Sequence, residues 1–238
     1  DDYPDLQRED ISFPSGNNML HGSLYKTDDN YKDLVIFCHG LGAGHHSYLT
    51  EIHAIAKAGH LVLSYDNTGC VASEGKKIRS FYQAVKDVNN AIGYVISRDD
   101  LKDLPIKTAG HSWGGYTAIH ALENKHVQKA AVFAPLNNPA KTFAIQVAEA
   151  TKVPAALLEP FIRLQLQLSD GKNGLCSSAD ILAETSKEVY IVQGLQDTMV
   201  TLDYNVLKDT RLSGKSNITM LPKEGSKHNP YLTLQAEK

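Results

Sequence analysis

Cysteine is scarce in this chain of 238 residues: Cys38, Cys70 and Cys176 are odd in number and widely spaced. That pattern excludes a disulfide framework and reads as free thiols in a reducing compartment, so a cytoplasmic location is expected. Long apolar runs are missing too, and nothing approaches the ~20 residues that a membrane-spanning helix needs. Charge of one sign is also lacking. The formal net charge is −3, with Lys and Arg scattered rather than striped, which leaves no field for a phosphate backbone and argues against a nucleic-acid partner. No repeats or low-complexity tracts interrupt the chain. It opens on Asp1 without an initiator Met or a charged-then-apolar leader, as a processed or excised product would. A sequon at Asn217-Ile218-Thr219 would suit secretion, but such triplets arise by chance, and this one falls in what reads as a buried-edge strand.

What the chain does have is short apolar runs alternating with longer helical patterns, the mark of a mostly parallel sheet with helices on its faces. Residues 8–13 and 18–26, separated by Pro14-Ser15-Gly16-Asn17, alternate as an antiparallel pair at the sheet edge. Strands follow at Leu34-Val35-Ile36-Phe37-Cys38, Leu61-Val62-Leu63-Ser64-Tyr65, Ile106-Lys107-Thr108-Ala109-Gly110, residues 129–135, Glu188 to Gln193 and Asn217 to Leu221. Helices are expected over about 48–58, 78–97, 113–124 and 202–211. The length suits one α/β domain, residues 1–238. Residues 136–187 are too long for an ordinary loop and read as a mainly helical cap inserted in that domain. Within it Ile162, Leu164, Leu166 and Leu168 alternate with polar residues, so period alone leaves helix and strand both open.

The chemistry gathers at Gly110-His111-Ser112-Trp113-Gly114-Gly115, which follows a strand and opens a helix. In that setting the pattern is a nucleophile elbow: the glycines permit a tight turn, and the serine hydroxyl is lifted off the sheet. The plainer alternative is a strand-to-helix turn whose Ser112 only caps the helix. A serine hydroxyl is a poor nucleophile near neutral pH, so catalysis also requires a base held by an acid. In this architecture the chain order is Ser, then Asp or Glu, then His. Only His228 follows His126. For the acid, Asp197 lies in Gly194-Leu195-Gln196-Asp197, at a strand's carboxyl end where such sheets place their sites. Asp203 is expected inside the next helix, and the other usual location offers Asn137 and Asn138 instead. A tetrahedral oxyanion needs two donors, expected at the backbone N–H of Trp113 and of Leu41 in His39-Gly40-Leu41-Gly42-Ala43-Gly44.

These pieces, with Asp66-Asn67-Thr68-Gly69-Cys70-Val71-Ala72-Ser73-Glu74-Gly75, make the chain resemble the α/β-hydrolase superfamily over essentially its whole length. The similarity is to the branch of monoacylglycerol lipases, small carboxylesterases, cinnamoyl esterases and related serine peptidases. Asn67 and Val71 depart from the family loop, which is richer in glycine and often carries Arg after the Asp. After the loop carrying His228 and Asn229 only Pro230 to Lys238 remain, where the family usually has a full helix. The resemblance implies a serine hydrolase acting on small-molecule esters of small or medium acyl groups, with no cofactor. Amides, peptides or thioesters are the nearest enzymatic alternative. A catalytically silent ligand-binding protein is the non-enzymatic one. His39, His45, His46, His53 and His60 crowd one stretch, but their spacing completes no recognisable metal-ligand set. Cys38 and Cys70 read as small buried thiols rather than nucleophiles.

Overall fold

The computed structural model describes residues 2–78, 80–201 and 204–231. Its centre is an eight-stranded sheet: β1 (Gln7–Ser15), β2 (Asn18–Lys26), β3 (Leu34–Cys38), β4 (Leu61–Tyr65), β5 (Ile106–His111), β6 (Val127–Phe133), β7 (Glu188–Gly194) and β8 (Ile218–Lys223). The spatial order is β1-β2-β4-β3-β5-β6-β7-β8. β1 and β2 form the expected antiparallel pair, β2 runs antiparallel to β4, and every other pairing is parallel.

β3 shows why this sheet is covered on both sides. All five of its residues are buried, and alternation sends Leu34, Ile36 and Cys38 to one face, Val35 and Phe37 to the other. The first face packs on α2 (Gln83–Ser97) through Val88, Ile92 and Val95, and on α3 (Trp113–His120) through Ala118 and Ile119. The second packs on α1 (Leu49–Lys57) through Ile52 and Ala56. These side chains are almost wholly removed from water, at roughly 1.5–3 kcal/mol each for the larger ones.

Between β6 and β7 the chain forms α4 (Pro139–Thr151), α5 (Ala155–Asp170) and α6 (Ser178–Glu184). Helix and strand were both open for residues 162–168; the outcome is helix. Its period puts Ile162 and Leu166 one turn apart on the buried side, against Ala140 and Ala144 of α4. Leu164 and Leu168 point outward, 55% and 79% exposed. Ile181 and Leu182 of α6, by contrast, pack in the main core beside β7.

Two expectations need correction. The helix over 202–211 is replaced, among the described residues, by 3₁₀ turns at Val206–Lys208 and Thr210–Leu212. The Asn205 and Asp209 side chains accept the N–H groups of Leu207 and Arg211, so local side-chain acceptors compete with the helical ladder. β8 is an edge strand, but none of its residues is buried. Asn217, just before it, donates its side-chain amide to the carbonyls of Thr185 and Lys187.

Candidate active site

At the end of β5 the backbone turns abruptly. Ser112 has φ 57° and ψ −116°, a conformation that costs a non-glycine residue about 1–3 kcal/mol, and α3 begins at the next residue. Its surroundings hold it there: Ser112 N–H donates to the Phe133 carbonyl at 2.9 Å, while its own carbonyl accepts from Tyr116 and Leu136 N–H, each at 3.1 Å. The flanking glycines answer to close approach. A Cβ on Gly114 would lie 1.9 Å from the Cys38 carbonyl oxygen, and one on Gly110 would lie 2.3 Å from the Gly114 carbonyl oxygen. Trp113, first in α3, sits where a helix leaves its leading N–H groups without helical acceptors.

The loop after β3 comes to the same place. Asn67 N–H donates to Nε2 of His39 at 3.0 Å, which leaves Nδ1–H to donate to the Gly40 carbonyl at 2.8 Å. Burial lowers the His39 pKa, in keeping with this neutral ring. Further along, the buried Asp66 carboxylate accepts from the backbone and ring of His45, each at 2.8 Å, and from Ala72 N–H at 3.1 Å. The His39–Gly44 and Asp66–Gly75 loops are thereby tied together.

Asp197 lies in the turn after β7, its side chain fully buried. Oδ1 accepts from Met199 N–H at 2.8 Å and Val200 N–H at 2.9 Å; Oδ2 accepts from the Gln193 amide at 3.0 Å and from Nδ1 of His228 at 2.9 Å. Burial alone would raise this carboxyl's pKa, but the hydrogen bonds from His228, Val200 and Met199 outweigh it and hold the group below its ordinary value. Asp203, the other carboxylate considered, lies outside the described residues, as do residues 232–238 near the chain end.

A cavity of about 170 Å³ is lined by Ser112 and His228, with Leu41 and Trp113 on its wall and Thr142 and Gln146 of α4 above. The four cavity-lining residues expected from the sequence thus come together, with Asp197 directly behind His228. A second groove of about 200 Å³ shares Leu41 and Phe81 with the first and runs between Phe143, Ile162 and Leu166. Ala155 and Leu158 pack beside the Ile162–Leu166 cluster, while Leu157 and Phe161 are exposed. The crowded histidines disperse: His53 bonds to Asp5, His45 to Asp66, and His60 to Asp33. Burial pushes the Cys38 thiol up to about 12 and Cys70 to about 11, so neither supplies a thiolate at neutral pH.

The family description of serine aminopeptidases, S33, matches residues 29–207, three quarters of the chain. The chain belongs to that family. Among solved structures, an esterase of Pyrococcus furiosus (Pf2001) superposes with a TM-score of 0.77 at 19% identity, over 98% of this chain and 87% of that one. Est1E of Butyrivibrio proteoclasticus, solved with ferulic acid, superposes with a TM-score of 0.69 at 20% identity, over 95% of each chain. An epoxide hydrolase of Caballeronia sordidicola is 29% identical over 111 residues, 47% of this chain and 33% of that protein. The matched stretch spans about a third of that relative's length. The fold is the α/β-hydrolase fold, as that family membership implies. Among the described residues, no helix is long and apolar enough to cross a membrane.

One constraint on this site was not read from the sequence. A Cβ on Gly194 would lie 2.1 Å from the Lys227 carbonyl oxygen and 2.5 Å from that of Ser226. The turn carrying Asp197 is thus pressed against the loop carrying His228, and the obstructing atoms are backbone. Gly194→Ala is expected to cost roughly 1–3 kcal/mol in overpacking. That corresponds to a Tm lower by several degrees, about 2–4 °C per kcal/mol for a chain of this size. Because the strain is relieved by moving the His228 loop, turnover should fall with stability; an unchanged Tm would show that the approach is looser than described.

Proposed function

We propose that this chain is a serine hydrolase that cleaves carboxylic esters of small to medium acyl groups. Ser112 is the nucleophile, His228 the general base and Asp197 the acid that orients it. The observation that carries this reading is the 2.9 Å bond from Asp197 to Nδ1 of His228, in a residue that lines one cavity with Ser112. An aspartate on Nδ1 leaves Nε2 free to take the serine proton. His228 Nε2 removes that proton as Oγ attacks the ester carbonyl, and the carbonyl π electrons move onto oxygen. Leu41 and Trp113 N–H groups hold that oxyanion, each donor contributing roughly 3–4 kcal/mol of barrier lowering. Collapse expels the alcohol, which takes its proton from His228. Water then repeats the sequence on the acyl-enzyme and releases the acid.

Residues 136–187 act in this reading as a cap on a single domain, its α4–α5 hairpin closing over the acyl group. The adjoining cavities of about 170 and 200 Å³ together reach only the lower end of the ~300–1,000 Å³ that encloses drug-sized ligands, which favours short and medium acyl chains. The family description raises a second reading, removal of an N-terminal residue from a peptide. That substrate carries an ammonium, which calls for a carboxylate opening on the site. The described residues lining the Ser112 cavity include none.

The test is turnover of p-nitrophenyl acetate, butyrate, octanoate and laurate, together with covalent labelling by a fluorophosphonate. Hydrolysis peaking at short or medium chains, with the label on Ser112, is expected; a silent binding protein would show neither. Ile162→Trp, which fills the apolar groove, should lower kcat/KM for octanoate relative to acetate by roughly 10-fold or more. An unchanged octanoate-to-acetate ratio would mean that the acyl chain lies elsewhere.

A further inference from the structure

The residue before the nucleophile is a histidine that the mechanism above does not use. His111 is 5% exposed and touches both loops that flank Ser112. Its Nε2 lies 2.8 Å from the backbone carbonyl of His228, and its Nδ1 lies 2.9 Å from the hydroxyl of Tyr48. The Tyr48 oxygen is also 3.0 Å from Gly40 N–H, immediately before Leu41.

The proton positions in this chain follow from chemistry. A carbonyl can only accept, so Nε2 of His111 carries the proton and donates to His228. Nδ1 then presents a lone pair, and the Tyr48 hydroxyl donates to it. The phenol oxygen in turn accepts from Gly40 N–H, the one group there that can only donate. Every donor meets an acceptor, and a second proton on the ring would leave the Tyr48 hydroxyl proton without this acceptor. Burial pushes the His111 pKa down to about 4, so the ring stays neutral near physiological pH. The His111 and His228 rings also lie with centroids 4.7 Å apart, and Tyr231 packs edge-on to His111 at 5.5 Å.

We propose that His111 is a positioning residue: through His228 on one side and Tyr48–Gly40 on the other, it sets the spacing between general base and oxyanion donors around Ser112. This assignment rests on the hydrolytic reading of the site. The alternative, plain packing, would need only a ring-sized side chain, with no directed N–H. The two differ in what a substitution preserves. Glutamine can place an amide N–H near the position of Nε2–H, whereas leucine keeps the burial and loses both bonds.

The experiment compares wild type with His111→Gln, His111→Leu, Tyr48→Phe and the Leu/Phe double variant. It measures kcat and KM on p-nitrophenyl butyrate, the rate of fluorophosphonate labelling, and Tm. His111→Leu should lower kcat by roughly 10–100-fold, the cost of misplacing reacting groups by about an ångström. KM should change less than about 3-fold, because His111, though it lines the cavity, has both ring nitrogens bonded within the protein and none left to bind the ground-state substrate. Labelling should slow in parallel, and His111→Gln should recover most of the loss. Tyr48→Phe should lower kcat to a smaller degree, and the double variant should lose less than the product of the two single effects, as for groups in one network. Should His111→Leu fail to fold, Tyr48→Phe and His111→Gln decide the matter by the same split of kcat from KM. The assignment is overturned if wild type is active and His111→Leu keeps its kcat, if glutamine is as damaging as leucine at equal Tm, or if the two effects simply multiply. If wild type neither hydrolyses nor labels, the hydrolytic reading itself falls and takes the assignment with it.

Discussion

Ser112→Ala is expected to reduce kcat on p-nitrophenyl butyrate by a factor on the order of 10⁴–10⁶ and to abolish fluorophosphonate labelling, with Tm nearly unchanged. The size follows from how a nucleophile, base and orienting acid work as a unit: without the hydroxyl, the acyl-enzyme route is closed. What survives is water attack assisted by substrate binding and oxyanion donors. The stability half of the expectation rests on backbone geometry. Ser112 keeps its φ of 57° through bonds made by its N–H and carbonyl, to Phe133, Tyr116 and Leu136, and alanine makes the same bonds. The strain therefore persists in the variant, and only the hydroxyl is lost. Retention of more than a few per cent of activity, or labelling at another serine, would assign the nucleophile elsewhere.

The parts of this architecture legible in the sequence are those where chemistry is local. Glycines crowd the elbow because Gly114 lies against the Cys38 carbonyl, a constraint that leaves its mark within six residues of sequence. The buried strands β3 and β4 were legible because every side chain in them faces a covered surface. Asp197 and His228 could be paired because chain order left a single histidine to consider. What escaped is non-local or a matter of competition. The apolar alternation at 162–168 suited a strand, and only packing of α5 on α4 selected the residues at positions 162 and 166. The 202–211 segment had a helical pattern, but Asn205 and Asp209 offered its backbone nearer acceptors. The bonds of His111 span 63 residues to Tyr48 and 117 to His228, and no spacing rule connects positions so far apart.

Buried histidine rings should make the fold sensitive to mild acid, earlier than its carboxylates would. Burial pushes His111 to about 4 and His120 to about 3, and it lowers His39 as well. His120 is enclosed beside Tyr116 and Tyr82, with neither ring nitrogen bonded. In the unfolded chain a histidine titrates near 6.5, so between that value and the folded one the unfolded state binds protons that the folded state refuses. Stability from these groups is therefore complete above about pH 6.5 and falls as pH drops, until each folded value is passed. Each ring costs about 1.4 kcal/mol per pH unit, so His111 and His120 together remove on the order of 5 kcal/mol between about pH 6.5 and 4.5. That is a large share of a typical 5–15 kcal/mol and should lower Tm by roughly 10–20 °C. The depressed carboxyls run the other way. Asp197 and Asp66, held below their ordinary values, support the fold down to about pH 4 and withdraw that support only as pH falls through their folded pKa values. Urea melts at about pH 7, 6 and 5 check this sequence: the unfolding free energy should fall with a slope that steepens toward two protons below about pH 6, and His120→Phe, which puts an apolar ring in place of the unbonded imidazole, should remove about one of them. A free energy that stays level from about pH 7 to 5 would mean that these rings take up protons in the folded state.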